Sequence, residues 1–166
     1  LETTLVHARR FFEVYDRQPE IRDRPEQPEL RRVRGDVSLR GVTFGYGGKQ
    51  VLRHLDLEIP AGATVALVGR SGAGKSTLVK LIPRFYDPDE GCVCLDGKDV
   101  RQYRLSSLRR SVGVAMQGSA VFQGTILDNL TFGRDIPPAE VEEAARLACI
   151  HEYIASLPEG YNSAVG

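Results

Sequence analysis

Apolar positions recur along this chain with two different periods. Near the start, Leu1, Leu5, Ala8, Phe12 and Tyr15 follow steps of four and three, which places them on one side of a helix. Glu2, His7, Arg9, Arg10 and Glu13 interrupt that seam, so the helix is amphipathic. It reads either as a surface helix packed on its own domain or as the end of a longer helix from an upstream domain. The stretch 17–35 is charged and contains Pro19, Pro25 and Pro28, too many prolines for a regular helix. It reads as an interdomain linker.

From Asp36 the period falls to about two. Val37, Leu39, Val42 and Phe44 sit near alternating positions, and Gly45, Gly47 and Gly48 end the run around Tyr46. Leu55, Leu57 and Ile59 alternate with Asp56 and Glu58, the pattern of a half-buried strand. After a turn at Pro60, Ala61 and Gly62, residues 64–68 form a short, unbroken apolar run, which predicts a strand buried on both faces. Residues 75–82 are helical in character and stop before Pro83. Val93 and Leu95 mark another strand, and 112–116 a further one that ends at Gln117. Beyond Pro137 and Pro138, residues 139–156 read as one helix with Val141, Ala145, Ala148 and Ile154 broadly on one side and Pro138 in a tolerated first-turn position. No internal repeat is visible. Strands alternating with helices predict an α/β fold with a partly parallel sheet, and the glycine-rich early strands predict an antiparallel flap beside it.

Composition narrows the partners. Lys plus Arg equals Asp plus Glu at 22 each, whereas a nucleic-acid partner selects a basic surface. The clusters Arg31, Arg32, Arg34 and Arg109, Arg110 read as solvated faces. Three cysteines, Cys92, Cys94 and Cys149, have no disulfide-framework spacing and fit a reducing compartment. Cys92 and Cys94 share one face of a strand. With no second His or Cys pair to complete a metal site, they read as buried apolar residues. No stretch reaches the ~20 apolar residues of a membrane-spanning helix.

The strongest chemical signal is Gly69, Arg70, Ser71, Gly72, Ala73, Gly74, Lys75, Ser76 and Thr77. It fits G-x-x-x-x-G-K-[ST], and it lies between a predicted strand and a predicted helix, the setting the motif requires. Glycines let the backbone wrap closely and turn its N–H groups toward anionic oxygens. A following helix adds its positive end. Lys75 supplies a point charge for the β- and γ-phosphates, and the Ser76 hydroxyl can ligate Mg²⁺.

The order of motifs resembles the nucleotide-binding domain of ABC transporters. Phe44, Gly45 and Tyr46; the loop 69–77; Arg84, Phe85, Tyr86, Asp87 and Pro88; Leu95, Asp96 and Gly97; and Val114, Ala115, Met116 and Gln117 follow one another as in that family. The run Phe122, Gln123, Gly124, Thr125, Ile126 and then Asp128, Asn129, Leu130 resembles the exporter branch, in which membrane helices and ATPase share one chain. So does Phe11, Phe12, Glu13, Val14 and Tyr15, while Ile154, Ala155, Ser156, Leu157, Pro158, Glu159, Gly160 and Tyr161 resemble the approach to the signature motif.

The resemblance implies roles. Tyr46 would stack on adenine; from the residues alone, a strand-end tyrosine with its hydroxyl in water is an equal reading. Gln117 would contact Mg²⁺ and the attacking water, although a glutamine after a strand is by itself a loop residue. Met116 and Gly118 stand where the family more often has proline or serine before this glutamine and an acid after it. Cys92, Val93, Cys94, Leu95 and Asp96 superficially imitate the Mg²⁺-binding Walker B strand, but Gly97 follows in place of a carboxylate, so Asp96 and Gly97 read as a turn. The family's signature sequence, Walker B aspartate, catalytic glutamate and switch histidine have no match among these residues. His7, His54 and His151 do not stand in the last position.

The expectation is therefore an incomplete P-loop NTPase-like fold: residues 1–16 the end of a membrane-domain helix, 17–35 a linker, and 36–166 the first part of an ABC ATP-binding domain. The resemblance implies ATP and Mg²⁺ as ligands, and a transmembrane domain and a second nucleotide-binding domain as partners, without nucleic acid. It implies a place on the cytoplasmic face of a membrane. Without the strand that carries Walker B in this family, the sheet should expose strand edges and apolar surface. The rival readings are a non-catalytic nucleotide-binding module and another phosphate-loop enzyme such as a small-molecule kinase.

Overall fold

A computed structural model describes residues 12, 15, 18–24, 26–116, 118 and 121–166. The expected helix over 1–15 lies outside the described residues, apart from Phe12 and Tyr15, which are both helical and exposed. Gln117 also lies outside them. The chain divides into two compact units, Leu1–Val114 and Ala115–Gly166.

The first unit is built on an antiparallel sheet. Strands β1 (Val37–Tyr46), β2 (Lys49–Ile59), β3 (Glu90–Leu95) and β4 (Lys98–Asp99) stand in the order β2-β1-β3-β4. Two tight turns close it. Gly47 and Gly48, at φ 54° and 82°, join β1 to β2, with Tyr46 paired to Lys49. Asp96 and Gly97, at φ 52° and 80°, join β3 to β4. Both are two-residue hairpin loops whose positive φ values match the twist of the strands. The loose alternation in the sequence has a structural cause. The apolar phase changes from Leu39 to Val42, where the register breaks and Gly41 turns to φ 57°. It changes again between Leu52 and Leu55, around His54 at φ 44°. These irregularities keep Leu39, Val42, Phe44, Leu52 and Val93 in one core despite the odd spacing.

Helix α1 (Lys75–Leu81) and helix α2 (Leu105–Ser111) supply Leu78, Leu81 and Leu108 to the same core. The polar segment ahead of β1 is held along the approach to α2. Gln27 Nε2 donates to the Arg101 carbonyl at 2.6 Å, Leu30 N to Ser107 Oγ at 2.9 Å, and Arg104 N to the Pro28 carbonyl at 3.0 Å.

Two expected strands are absent. Residues 64–68 and 112–116 carry no ladder hydrogen bonds. Val65 and Val68 are exposed, and Leu67 alone of that run packs on the core. A strand buried on both faces needs hydrogen-bonding neighbours and a cover on each side. Among the described residues no hydrogen-bonding neighbour is supplied and only one side of the run is covered, so the parallel part of the expected sheet does not form there and the antiparallel flap does.

The second unit contains β5 (Gly124–Thr125) paired with β6 (Ala164–Val165), and helices α3 (Ile126–Thr131), α4 (Pro138–Leu147) and α5 (His151–Ser156). The single helix expected over 139–156 is two. Cys149 enters the left-handed region at φ 57°, its N–H bonds to the Arg146 carbonyl and the Ile150 N–H to the Ala145 carbonyl. This pair of bonds is a Schellman stop that usually carries glycine, and its absence hid the break. Among the described residues no helix is long and apolar enough to cross a membrane.

Candidate functional site

The phosphate-loop sequence forms an open turn at the start of α1. Gly72 and Gly74 take φ 80° and 87°, a region that side chains disfavour. Ala73 N–H bonds to the Arg70 carbonyl at 3.2 Å, and Leu78 N–H to Gly74 at 2.9 Å as the helix begins. Gly74 is also fixed by packing: a Cβ there would lie 2.6 Å from Leu52 Cδ2 and 3.3 Å from Val51 Cγ1. The loop's helical end is thereby wedged against β2. Nothing acidic stands in the first turn of α1 and no side chain caps it. Lys75 folds back over the loop and donates to the carbonyls of Gly69 and Arg70, each at 2.8 Å. Its ammonium thus sits at the loop's mouth, held by neutral acceptors, with no carboxylate bonded to it among the described residues. Ser76 is exposed, and Thr77 is buried beneath it.

These features fit a bound phosphate and a hard cation. A phosphate can replace two carbonyl acceptors at Lys75. Mg²⁺ prefers oxygen ligands and typically takes only one or two from the protein, with water and phosphate completing its shell. Ser76 offers one such oxygen. Among the described residues no group of three or more His, Cys, Asp or Glu is placed to hold a metal ion by itself.

Tyr46 ends β1 on the side of the sheet where Gly74 meets Leu52, since Leu52 pairs with Phe44. Tyr46 is 38% exposed, so one part of the ring is free. Phe44 and Tyr86 meet it edge-on, at centroid distances of 4.9 and 5.2 Å. Tyr86 is a participant that the sequence alone did not single out; its motif, Arg84 to Pro88, was visible, but its approach to Tyr46 was not. Asp89 Oδ2 accepts the Gly45 N–H at 2.9 Å and steadies the same strand end. A cavity of about 370 Å³ opens here, with Phe44, Tyr46, Tyr86 and Asp89 in its lining.

Asp96 is not a free metal ligand. Its carboxylate accepts the backbone N–H groups of Arg34 (2.7 Å), Gly35 (3.0 Å) and Asp36 (2.9 Å). Burial pushes its pKa up, but those donors outweigh burial and hold it below the ordinary aspartate range. The aspartate that imitates Walker B is thus a hairpin residue that ties the approach to β1 onto the β3–β4 turn.

In the second unit, the segment 122–129 is organised by its own side chains. Thr125 and Asp128 form a capping box at the start of α3. The Asn129 amide pairs with both the N–H and the carbonyl of Phe122, at 2.8 and 2.9 Å. The residues singled out in the sequence therefore hold a turn before α3, whatever surface they present beyond it.

Residues 52–162 match the family model described as ABC transporter. The chain is 42% identical over its whole length to an ATP-dependent lipid A-core flippase of Syntrophus aciditrophicus, of which it spans 28%. It is also 42% identical to the iron-sulfur clusters transporter atm1, mitochondrial, of Neurospora crassa, covering 24% of that protein. Among solved structures, a bacterial Atm1-family ABC exporter with ATP bound matches 99% of this chain and 30% of its own, at 41% identity and a TM-score of 0.85.

Proposed function

The chain belongs to the ABC transporter family, and on that premise we propose that it is the ATP-binding portion of an exporter, whose complete protein couples ATP binding and hydrolysis to transport across a membrane. The chain spans less than a third of the relatives and the solved exporter compared above. The observation that carries the proposal is the loop 69–77, with Lys75 bonded, among the described residues, to the carbonyls of Gly69 and Arg70. ATP would bring phosphate oxygens to Lys75 and to the loop amides, Ser76 would give Mg²⁺ its protein oxygen, and Tyr46 would take the adenine ring on its free part. Gln117 would contribute near Mg²⁺ and water.

The partners in this reading are a transmembrane domain and a second nucleotide-binding domain, and the location is the cytoplasmic face of a membrane. The relatives' names support an exporter, and the ATP-bound neighbour supports the nucleotide. The 166 residues taken alone bind ATP without turning it over, because no carboxylate among them matches the family's water-orienting position. Loss of one such group commonly costs about 10²–10⁴-fold in rate.

Calorimetric titration with Mg²⁺-ATP tests the proposal. The chain should bind, and folded Lys75→Ala should bind at least about tenfold more weakly, since hydrogen bonds to charged groups contribute about 1.5–3 kcal/mol. Equal affinity in the two would remove Lys75 from the site. Phosphate release that depends on Lys75 would overturn the assignment of these residues as a binding portion only.

A further inference from the structure

The face of the antiparallel sheet opposite the core carries chemistry that nucleotide binding does not use. Along β3, Val93 and Leu95 enter the core, so Cys92 and Cys94 point the other way. Their sulfurs lie 3.7 Å apart. Cys92 stands opposite Arg40 and Cys94 opposite Ser38, while Asp99 pairs with Cys94 on the other edge. Ser38 is 4% exposed, and its hydroxyl oxygen is buried without a hydrogen-bond partner among the described residues. Cys94 is equally buried and Cys92 is half-buried, so the pair has one accessible sulfur and one sheltered one.

Direct bonding between the two sulfurs is disfavoured by the strand. Residues two apart in a strand have Cα atoms about 6.6–6.8 Å apart, at the upper limit for a disulfide, and the sulfurs would have to close to about 2.05 Å. An atom bridging them requires far less movement. Two sulfurs held at about 2.3 Å from one three-coordinate, pyramidal centre stand about 3.4 Å apart, so bridging closes the pair by only a few tenths of an ångström. Zinc would demand further ligands. No group of three or more His, Cys, Asp or Glu is placed to hold a metal among the described residues.

We propose that Cys92 and Cys94 form a two-sulfur chelating site for a soft, thiophilic centre of the trivalent-arsenic class. Burial, with the Cys92 sulfur beside it, pushes the Cys94 thiol up from its ordinary range. Cys94 therefore enters the reaction as a thiol. With an arsenoxide, two As–S bonds form and the arsenic–oxygen bonds break. Both thiol protons leave with the oxygen as water, and arsenic remains trivalent. Cys92 makes the first bond from the accessible side, and Cys94 closes the ring.

Phenylarsine oxide is the probe, added at one equivalent to the folded chain in excess glutathione, with intact mass as the readout. Monothiol adducts exchange away under these conditions and a chelate persists. One phenylarsenic adduct is expected on the unaltered chain and on Cys149→Ser, and none on Cys92→Ser or Cys94→Val. Circular dichroism checks that the variants are folded. Should Cys94→Val fail to fold, the half-buried Cys92→Ser decides alone. An adduct that survives in Cys92→Ser, or no adduct on the folded unaltered chain, overturns the proposal.

Discussion

β1 and the run 64–68 both carry strand-like apolar residues, yet their surroundings differ in kind. β1 has a neighbour on each edge, and Leu39, its third residue, is 1% exposed. In the run 64–68, Val68 is 91% exposed, although both residues are strongly apolar. The difference lies in where each segment's hydrogen-bonding partners come from. The partner β2 follows β1 after only Gly47 and Gly48, so the ladder closes locally. A strand buried on both faces depends on neighbours distant in sequence. The phosphate loop inherits the asymmetry: its helical end is wedged against Leu52, while the segment entering it pairs with no strand among the described residues.

The largest effect should separate the two regions energetically. Leu39→Ala should destabilise the chain by about 2–5 kcal/mol, through lost burial and the cavity left behind. Val68→Ala should change stability by no more than about 0.5 kcal/mol. Urea unfolding of both variants makes the comparison, and equal losses would mean that the run 64–68 is packed.

Gly74→Ala tests the junction between the regions. A side chain at φ 87° costs about 1–2 kcal/mol, and the new Cβ would crowd Leu52 Cδ2 at 2.6 Å. Reduced stability together with weakened Mg²⁺-ATP binding is expected; unchanged binding would detach the loop's conformation from β2.

The smallest effect concerns the β3–β4 turn. Asp96 has a folded pKa below its unfolded value, so its contribution is present above the unfolded value and lost as pH falls through the folded one. Asp96→Asn should remove that acid-side dependence and cost about 1 kcal/mol or less near neutral pH. An unchanged stability profile below pH ~4 would show that the three backbone donors do not favour the charged carboxylate.

What could be read from sequence follows the same division. The Gly47–Gly48 and Asp96–Gly97 turns, the phosphate loop and Pro138 at the head of α4 were legible because each rests on local backbone chemistry. The breaks at Gly41 and His54 were visible only as imperfect alternation. The stop at Cys149 had no glycine to mark it. The run 64–68 has the correct composition for a strand, but composition cannot supply a neighbour. At the site, Lys75 and its glycines were legible, whereas the edge-on approach of Tyr86 to Tyr46 depends on β1 meeting a segment forty residues away in the sequence.

The most direct test of the central claim is a map of backbone amide NMR shifts as Mg²⁺-ATP is added to the chain. If the loop cradles phosphate, the largest changes fall on residues 70–77, with a smaller set at Tyr46, while β4 and α4 stay unmoved. Changes centred instead on Arg31, Arg32 and Arg34, or a loop that does not respond while nucleotide binds, would contradict the account.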